Sequence, residues 1–111
     1  MQIGRFARIG DSYVGQLETL ALNVPLRIVP IADSGAERAP DWRVQLDDAN
    51  VAAEVGAGWT HDRDGGGMFI IVQLDCPTFR RPLRASLLPS RTHDEVHVLL
   101  WTRQKPRQRE D

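Results

Sequence analysis

Between residues 41 and 46 the chain alternates cleanly, with Trp42, Val44 and Leu46 on one side of an extended segment and Arg43 and Gln45 on the other. This predicts a half-buried strand, turned at its end by Asp47-Asp48-Ala49-Asn50. The longest continuous signal comes next. Residues 51–59 and 68–74 are rich in small, β-branched and aromatic side chains and flank His61-Asp62-Arg63-Asp64-Gly65-Gly66-Gly67. Three consecutive glycines supply positive φ at no steric cost, so the stretch reads as a hairpin with Trp59 and Ile70 facing inward and an exposed tip over 62–67.

Shorter runs complete the pattern. Residues 2–8 and 13–20 form a second hairpin around Ile9-Gly10-Asp11-Ser12, with Tyr13, Gly15, Leu17 and Thr19 on one side of its second strand. Residues 22–31 are extended, but Pro25 and Pro30 cannot donate ladder hydrogen bonds, which predicts an edge strand or a bulged one. The polar stretch 32–40, closed by Pro40, is the expected mobile loop. Cys76-Pro77-Thr78-Phe79-Arg80-Arg81-Pro82 links the central hairpin to strands at 83–88 and 96–103, which are separated by a turn over 89–95. No window of ten residues shows a helical apolar period free of Pro and Gly. The expected fold is all-β: a compact antiparallel sheet or small open barrel of seven to eight short strands with little helix and with Trp42 and Trp59 in its core. Residues 1–103 form a single β domain, and 104–111 form a flexible charged tail without an apolar anchor.

Composition narrows the classes of function. With 111 residues, 41% hydrophobic and 26% charged, the chain suits one modest core, and a formal charge of -1 gives no global field to attract nucleic acid or an anionic membrane. A single cysteine, Cys76, excludes an internal disulfide and a multi-cysteine zinc site and fits a reducing compartment. Met1-Gln2-Ile3-Gly4-Arg5-Phe6 is not a signal-peptide run, and no eighteen apolar residues follow one another, so a cytoplasmic protein with no membrane segment is expected. Every basic residue except Lys105 is arginine. Guanidinium groups suit interfaces, although the many Ala and Gly residues also fit the codon bias of a GC-rich genome.

Ile3-Gly4 with Phe6, Gly15 before Thr19-Leu20, residues 27–30, Ala39-Pro40-Asp41-Trp42-Arg43-Val44, Gly56-Ala57-Gly58-Trp59, and Leu74-Asp75 before Pro77-Thr78-Phe79 occur in an order that resembles one bacterial family. It is the domain-of-unknown-function family numbered seven hundred and thirty-six. The resemblance spans about residues 3–103 and rests on many weak positions. It implies a small cytosolic protein carried on integrative and conjugative elements and plasmids, with no established activity. The chain departs from the family pattern at Cys76, where an acidic residue is usual, and at Phe69, where a tyrosine is usual.

Candidate chemistry is sparse. His93 and His97 lie four apart, which on a helix would serve a metal, but along an extended chain that separation is about 13 Å. His61, Asp62 and Asp64 at the tip supply too few oxygens for a calcium loop, and Gly65-Gly66-Gly67 lacks the Lys-Ser/Thr and helix of a phosphate loop. No base neighbours Cys76 in sequence. No catalytic, cofactor or metal site is therefore expected. The residues assigned to partner binding are Phe79, Arg80, Arg81 and Arg84, with Arg63 at the tip; Trp101, Arg103, Lys105, Arg107 and Arg109 add charge and an aromatic ring, while Asp75, Asp94 and Glu95 offset some of that charge.

An antiparallel sheet offers a free face or edge, which suits a binding module better than a catalyst. The expected function is a non-catalytic module that occupies a protein partner. In the mobile-element setting that the resemblance implies, that partner belongs to host-defence or conjugation machinery, and the action is anti-defence inhibition, including anti-CRISPR action. The alternative is a nucleic-acid-binding accessory of plasmid transfer.

Overall fold

The computed structural model describes residues 1–32, 38–48, 53–77, 79–93 and 95–102. Eight strands follow in chain order: β1 Gln2–Ile9, β2 Ser12–Glu18, β3 Asn23–Pro30, β4 Trp42–Leu46, β5 Glu54–Asp62, β6 Met68–Leu74, β7 Leu83–Pro89 and β8 Val96–Leu100. Each pairs antiparallel with the next, and β8 pairs with β1, which closes the sheet into a barrel. No helix occurs among the described residues. The all-β fold and its eight strands agree with the sequence pattern; the barrel is closed, where an open one was an expectation.

Closure is a backbone matter. Phe6 pairs with His97 and Gly4 with Leu99, and the Trp101 N–H donates to Met1 O at 2.8 Å beyond the last paired residue. Gln2 and Gly4 take adjacent partners, so Ile3 is an extra residue in β1, and a second irregularity falls between Val44 and Gln45 of β4. Such bulges bend strands and raise their twist, as closure requires.

With β1 paired to β8 the barrel has no edge strand, so the reading of residues 22–31 as an edge is corrected: β3 is paired on both sides, with β2 and β4. Its prolines are tolerated because of where their nitrogens point. Ile31 N–H donates to Asp41 O and Asp47 N–H to Pro25 O, so odd-numbered residues of β3 direct their backbone groups toward β4 and even-numbered ones toward β2. Pro25 lies at the last step of the β4 ladder. The nitrogen of Pro30 faces past the start of β2, because Ser12 stands opposite Val29 in the register that pairs Tyr13 with Ile28. Neither ring removes an interior ladder bond.

Alternate residues fill the interior, as an eight-stranded barrel of this size demands. Phe6, Tyr13, Leu17, Leu26, Ile28, Val44, Ile70, Val72, Leu74, Leu87 and Leu99 are buried there. Trp42 packs against this cluster from the inner side of β4. Trp59 does not, and its expected core position is corrected: it pairs with Ile71, whereas the inward Val72 faces Gly58 and Leu74 faces Gly56. Glycines occupy the inner positions of this part of β5 because the space is already taken. A Cβ on Gly58 would stand 2.9 Å from Ile70 Cγ2 and 3.2 Å from Trp42 Cβ, and one on Gly56 would collide with the Gln73 carbonyl oxygen.

At the tip of the β5–β6 hairpin, Gly65, Gly66 and Gly67 all have positive φ, and Arg63 N–H donates to Gly67 O at 3.0 Å. Asp62 to Gly67 are exposed, as expected. The proposed tail 104–111 and the centre of the loop over 32–40 lie outside the described residues.

Candidate binding surface

The same alternation that fills the barrel determines what stands outside it. Ile70, Val72 and Leu74 point inward from β6, so Phe69, Ile71 and Gln73 point out; in β7 the outward set is Arg84, Ser86 and Leu88, and in β8 it is Val96, Val98 and Leu100. Register aligns these residues into rows. Trp59, Ile71, Ser86 and Leu100 are successive cross-strand partners over four strands. A second row carries His61 opposite Phe69 and Leu88 opposite Val98. The His61 and Phe69 rings stack with centroids 5.5 Å apart and 22° between planes.

This side of the barrel is apolar outside as well as inside. Across the molecule, the outer faces of β2, β3 and β4 are mixed, with Gln16, Glu18, Arg27, Arg43 and Gln45 beside Val14, Pro25 and Val29, and Arg27 and Arg43 form ion pairs with Asp47 at 3.3 Å and Glu54 at 2.7 Å. In the apolar group Trp59, Phe69, Ile71, Leu88 and Val98 are half-buried and Leu100 is exposed.

Two depressions end this apolar face. A groove of about 500 Å³ runs among Ile71, Arg81, Arg84, Ser86, Leu100 and Trp101. A shallower depression of about 420 Å³ lies among Asp62, Arg63, Asp64, Phe69, Ser86 and Leu88. Ser86 borders both.

The sequence-assigned partner residues are therefore divided. Arg81 and Arg84 share the groove, Arg80 is exposed in the β6–β7 connection, and Arg63 sits at the far end of the face with the hairpin tip. None of the four has an ion-pair partner among the described residues. Phe79 and Trp101 are both half-buried against the core cluster; of the two, Trp101 also borders the groove that holds the arginines. The basic residues Arg103, Lys105, Arg107 and Arg109 and the acidic Asp94 lie outside the described residues.

Ile71, Leu88 and Leu100 are not singled out by the sequence, and Trp59 is singled out only as a core residue. The available signal was the unbroken apolar run Met68-Phe69-Ile70-Ile71-Val72, since a strand with one solvated face would alternate. Trp59 is held in place on the outer side by its Nε1–H, which donates to Arg38 O at 3.2 Å.

The histidines part company. His93 is exposed and its Nδ1 lies 2.9 Å from Thr92 Oγ1, whereas His97 points into one mouth of the barrel. There its ring meets that of Tyr13 edge-on, and Tyr13 in turn lies 5.4 Å from the ring of Trp42. Trp42 Nε1–H donates to Thr60 Oγ1 at 2.9 Å, and the Arg8 guanidinium stands 6.0 Å from the Tyr13 ring centre. His97 Nδ1 is buried with no hydrogen-bond partner. Burial, and secondarily the charge of Arg8, push the His97 pKa below its ordinary value. A cavity of about 180 Å³ opens at this mouth, too narrow for a macromolecule. Cys76 is half-buried just after β6. No group of three or more metal-ligating side chains occurs among the described residues.

No curated protein and no solved structure matches the chain. The family described as "Protein of unknown function (DUF736)" matches residues 2–104, a span that takes in all eight strands and both ends of the outer face, and the chain belongs to that family.

Proposed function

We propose that the protein is a non-catalytic binding module that acts by occupying a protein partner through the outer face of β5–β8. The observation that carries this reading is the row Trp59, Ile71, Ser86 and Leu100 bordered by Arg81 and Arg84, which combines an apolar centre with a charged rim. Carboxylates of a partner would meet the guanidinium groups, and its apolar side chains would cover Ile71 and Leu100. Within this class the protein is an inhibitor of host-defence or conjugation machinery, with anti-CRISPR action as the concrete form; that step rests on the mobile-element setting that the family resemblance implies.

A second reading is favoured by one observation, the placement of Arg81, Arg84 and Trp101 around one groove. Phosphates could pair with the arginines while a base stacks on the indole, as in single-strand binders. The protein would then be an accessory of plasmid transfer. Capture from a nuclease-treated bacterial lysate distinguishes the two. Wild-type protein retains a specific protein and the Ile71→Asp variant loses it on the first reading; recovery that depends on intact nucleic acid, and survives Ile71→Asp, overturns it.

A further inference from the structure

The barrel mouth that holds Tyr13 and His97 is built differently from the rest of the interior. Ile70, Leu87 and the Tyr13 ring, all buried, form an apolar floor to the cavity of about 180 Å³, and Met68 stands exposed at its rim. Two nitrogen-bearing groups share the Tyr13 ring as a neighbour. The His97 ring centre lies 4.7 Å from it and the Arg8 guanidinium carbon 6.0 Å. Arg8 Nε donates to Gly10 O at 3.4 Å, and its terminal nitrogens have no ion-pair partner among the described residues. The buried Nδ1 of His97 has no hydrogen-bond partner. An orphaned acceptor is better tolerated than an orphaned N–H, so the proton of the neutral ring belongs on Nε2, which makes that nitrogen a donor. Among the described residues no carboxylate lines the cavity. The mouth therefore sets donors and a fixed positive charge over an apolar floor.

We propose that this mouth binds a small single-ring aromatic carboxylate, with its carboxylate held by Arg8 and His97 and its ring laid on Ile70 and Leu87 beside Tyr13. The mouths of β-barrels are favoured ligand sites, and a barrel of eight strands has the width for one small molecule. Volume sets the size of the guest. An apolar cavity of about 150 Å³ accommodates benzene, so about 180 Å³ takes one ring and one carboxylate. The neighbours favour a flat ring: Tyr13 already meets His97 edge-on and Trp42 at a tilt, a planar guest extends this cluster, and the Met68 thioether adds a sulfur–aromatic contact at the rim. A guanidinium is the matching partner for the carboxylate. Arg8, Tyr13, Ile70, Leu87 and His97 lie on the inner side of their strands, so the site is distinct from the outer face of β5–β8 and the inference does not rest on the function proposed for that face.

The test is titration of the whole isotope-labelled chain with benzoate, read from its amide NMR spectrum. For a ligand of about nine non-hydrogen atoms a dissociation constant of about 0.1–1 mM is expected, so a titration to about 20 mM reaches saturation. The amides of Arg8, Tyr13, Met68, Leu87 and His97 shift together along one binding curve. Benzyl alcohol, which has the ring without the charge, and inorganic phosphate, which has the charge without the ring, bind at least about tenfold more weakly, and cyclohexanecarboxylate, which lacks the flat ring, is also weaker. Arg8→Gln and His97→Phe each weaken benzoate at least about tenfold, while their dispersed spectra show that both are folded. Arg5→Gln removes a guanidinium from the outer side of the same strand and leaves the affinity unchanged. The proposal is overturned by the absence of saturable shifts, by shifts centred away from the mouth, or by either mouth variant binding as the wild type does. Benzyl alcohol, phosphate or cyclohexanecarboxylate binding as tightly as benzoate overturns the assigned ligand class. Capture of a protein through Ile71 is a separate measurement, so the two readings fail independently.

Discussion

The imidazole of His97 stands edge-on to the ring of Tyr13, centroids 4.7 Å apart and planes at 66°, with its Nδ1 buried and unpartnered. The neutral ring suits this apolar mouth and the protonated ring does not, and Arg8 adds like charge. The folded-state pKa is lowered, so the unfolded chain takes up the proton first as pH falls. The stability contributed by His97 is thus fully present above its unfolded pKa of about 6.5 and declines as pH drops from there toward the lower folded-state value. Urea denaturation at intervals between about pH 7.5 and pH 5 reads this slope. His97→Phe flattens it; an unchanged slope in that variant would assign the dependence elsewhere.

Any side chain at Gly56 meets a steric obstacle. Its missing side chain leaves room for the Gln73 carbonyl and for Leu74 Cδ2, which a Cβ would approach to 2.8 Å. Gly56→Ala is expected to destabilise the barrel by about 1–3 kcal/mol through overpacking. A thermal midpoint equal to that of the wild type would contradict the inward assignment of this position.

Size alone does not predict the cost of removing an aromatic ring here. Phe6 is buried inside and Trp59 lies half-buried on the outside. Phe6→Ala is expected to cost about 3–5 kcal/mol, as core truncations do. Trp59→Ala gives up part of an outer contact and one hydrogen bond to Arg38, for about 1 kcal/mol. Chemical denaturation of the two variants checks the order, and equal costs would place Trp59 in the core.

Arg80, Arg81 and Arg84 give the nucleic-acid reading a sharp test. If phosphates bind there, affinity for a labelled single-stranded oligonucleotide falls steeply with salt, because each neutralised phosphate releases a counterion. The expected result at physiological salt is weak binding or none, given the chain's overall charge of -1. Sub-micromolar affinity that the triple alanine substitution abolishes would promote the second reading. Fluorescence anisotropy at two salt concentrations measures both.

Strand positions were legible in the sequence because they depend on local chemistry. The alternation of residues 41–46 became β4 Trp42–Leu46, and the glycine-rich turn became the β5–β6 tip, since period-two patterning and positive φ act within a few residues. Arg81 and Arg84 were legible as a basic pair for the same reason. Their groove was not, because Ile71, Leu100 and Trp101 reach it from other strands. Alternation separates a strand into two faces without saying which one turns inward. That choice is made by neighbours: Gly56 and Gly58 take the inner positions of β5 because Leu74, Ile70 and Trp42 occupy the space, and Trp59 is left outside. Closure was likewise decided only by the tertiary structure, through the pairing of Gly4 with Leu99 and Phe6 with His97 from opposite ends of the chain. It removed the free edge that Pro25 and Pro30 had suggested for β3, since a proline is excluded only where its nitrogen faces a paired strand, and the local sequence does not contain that direction.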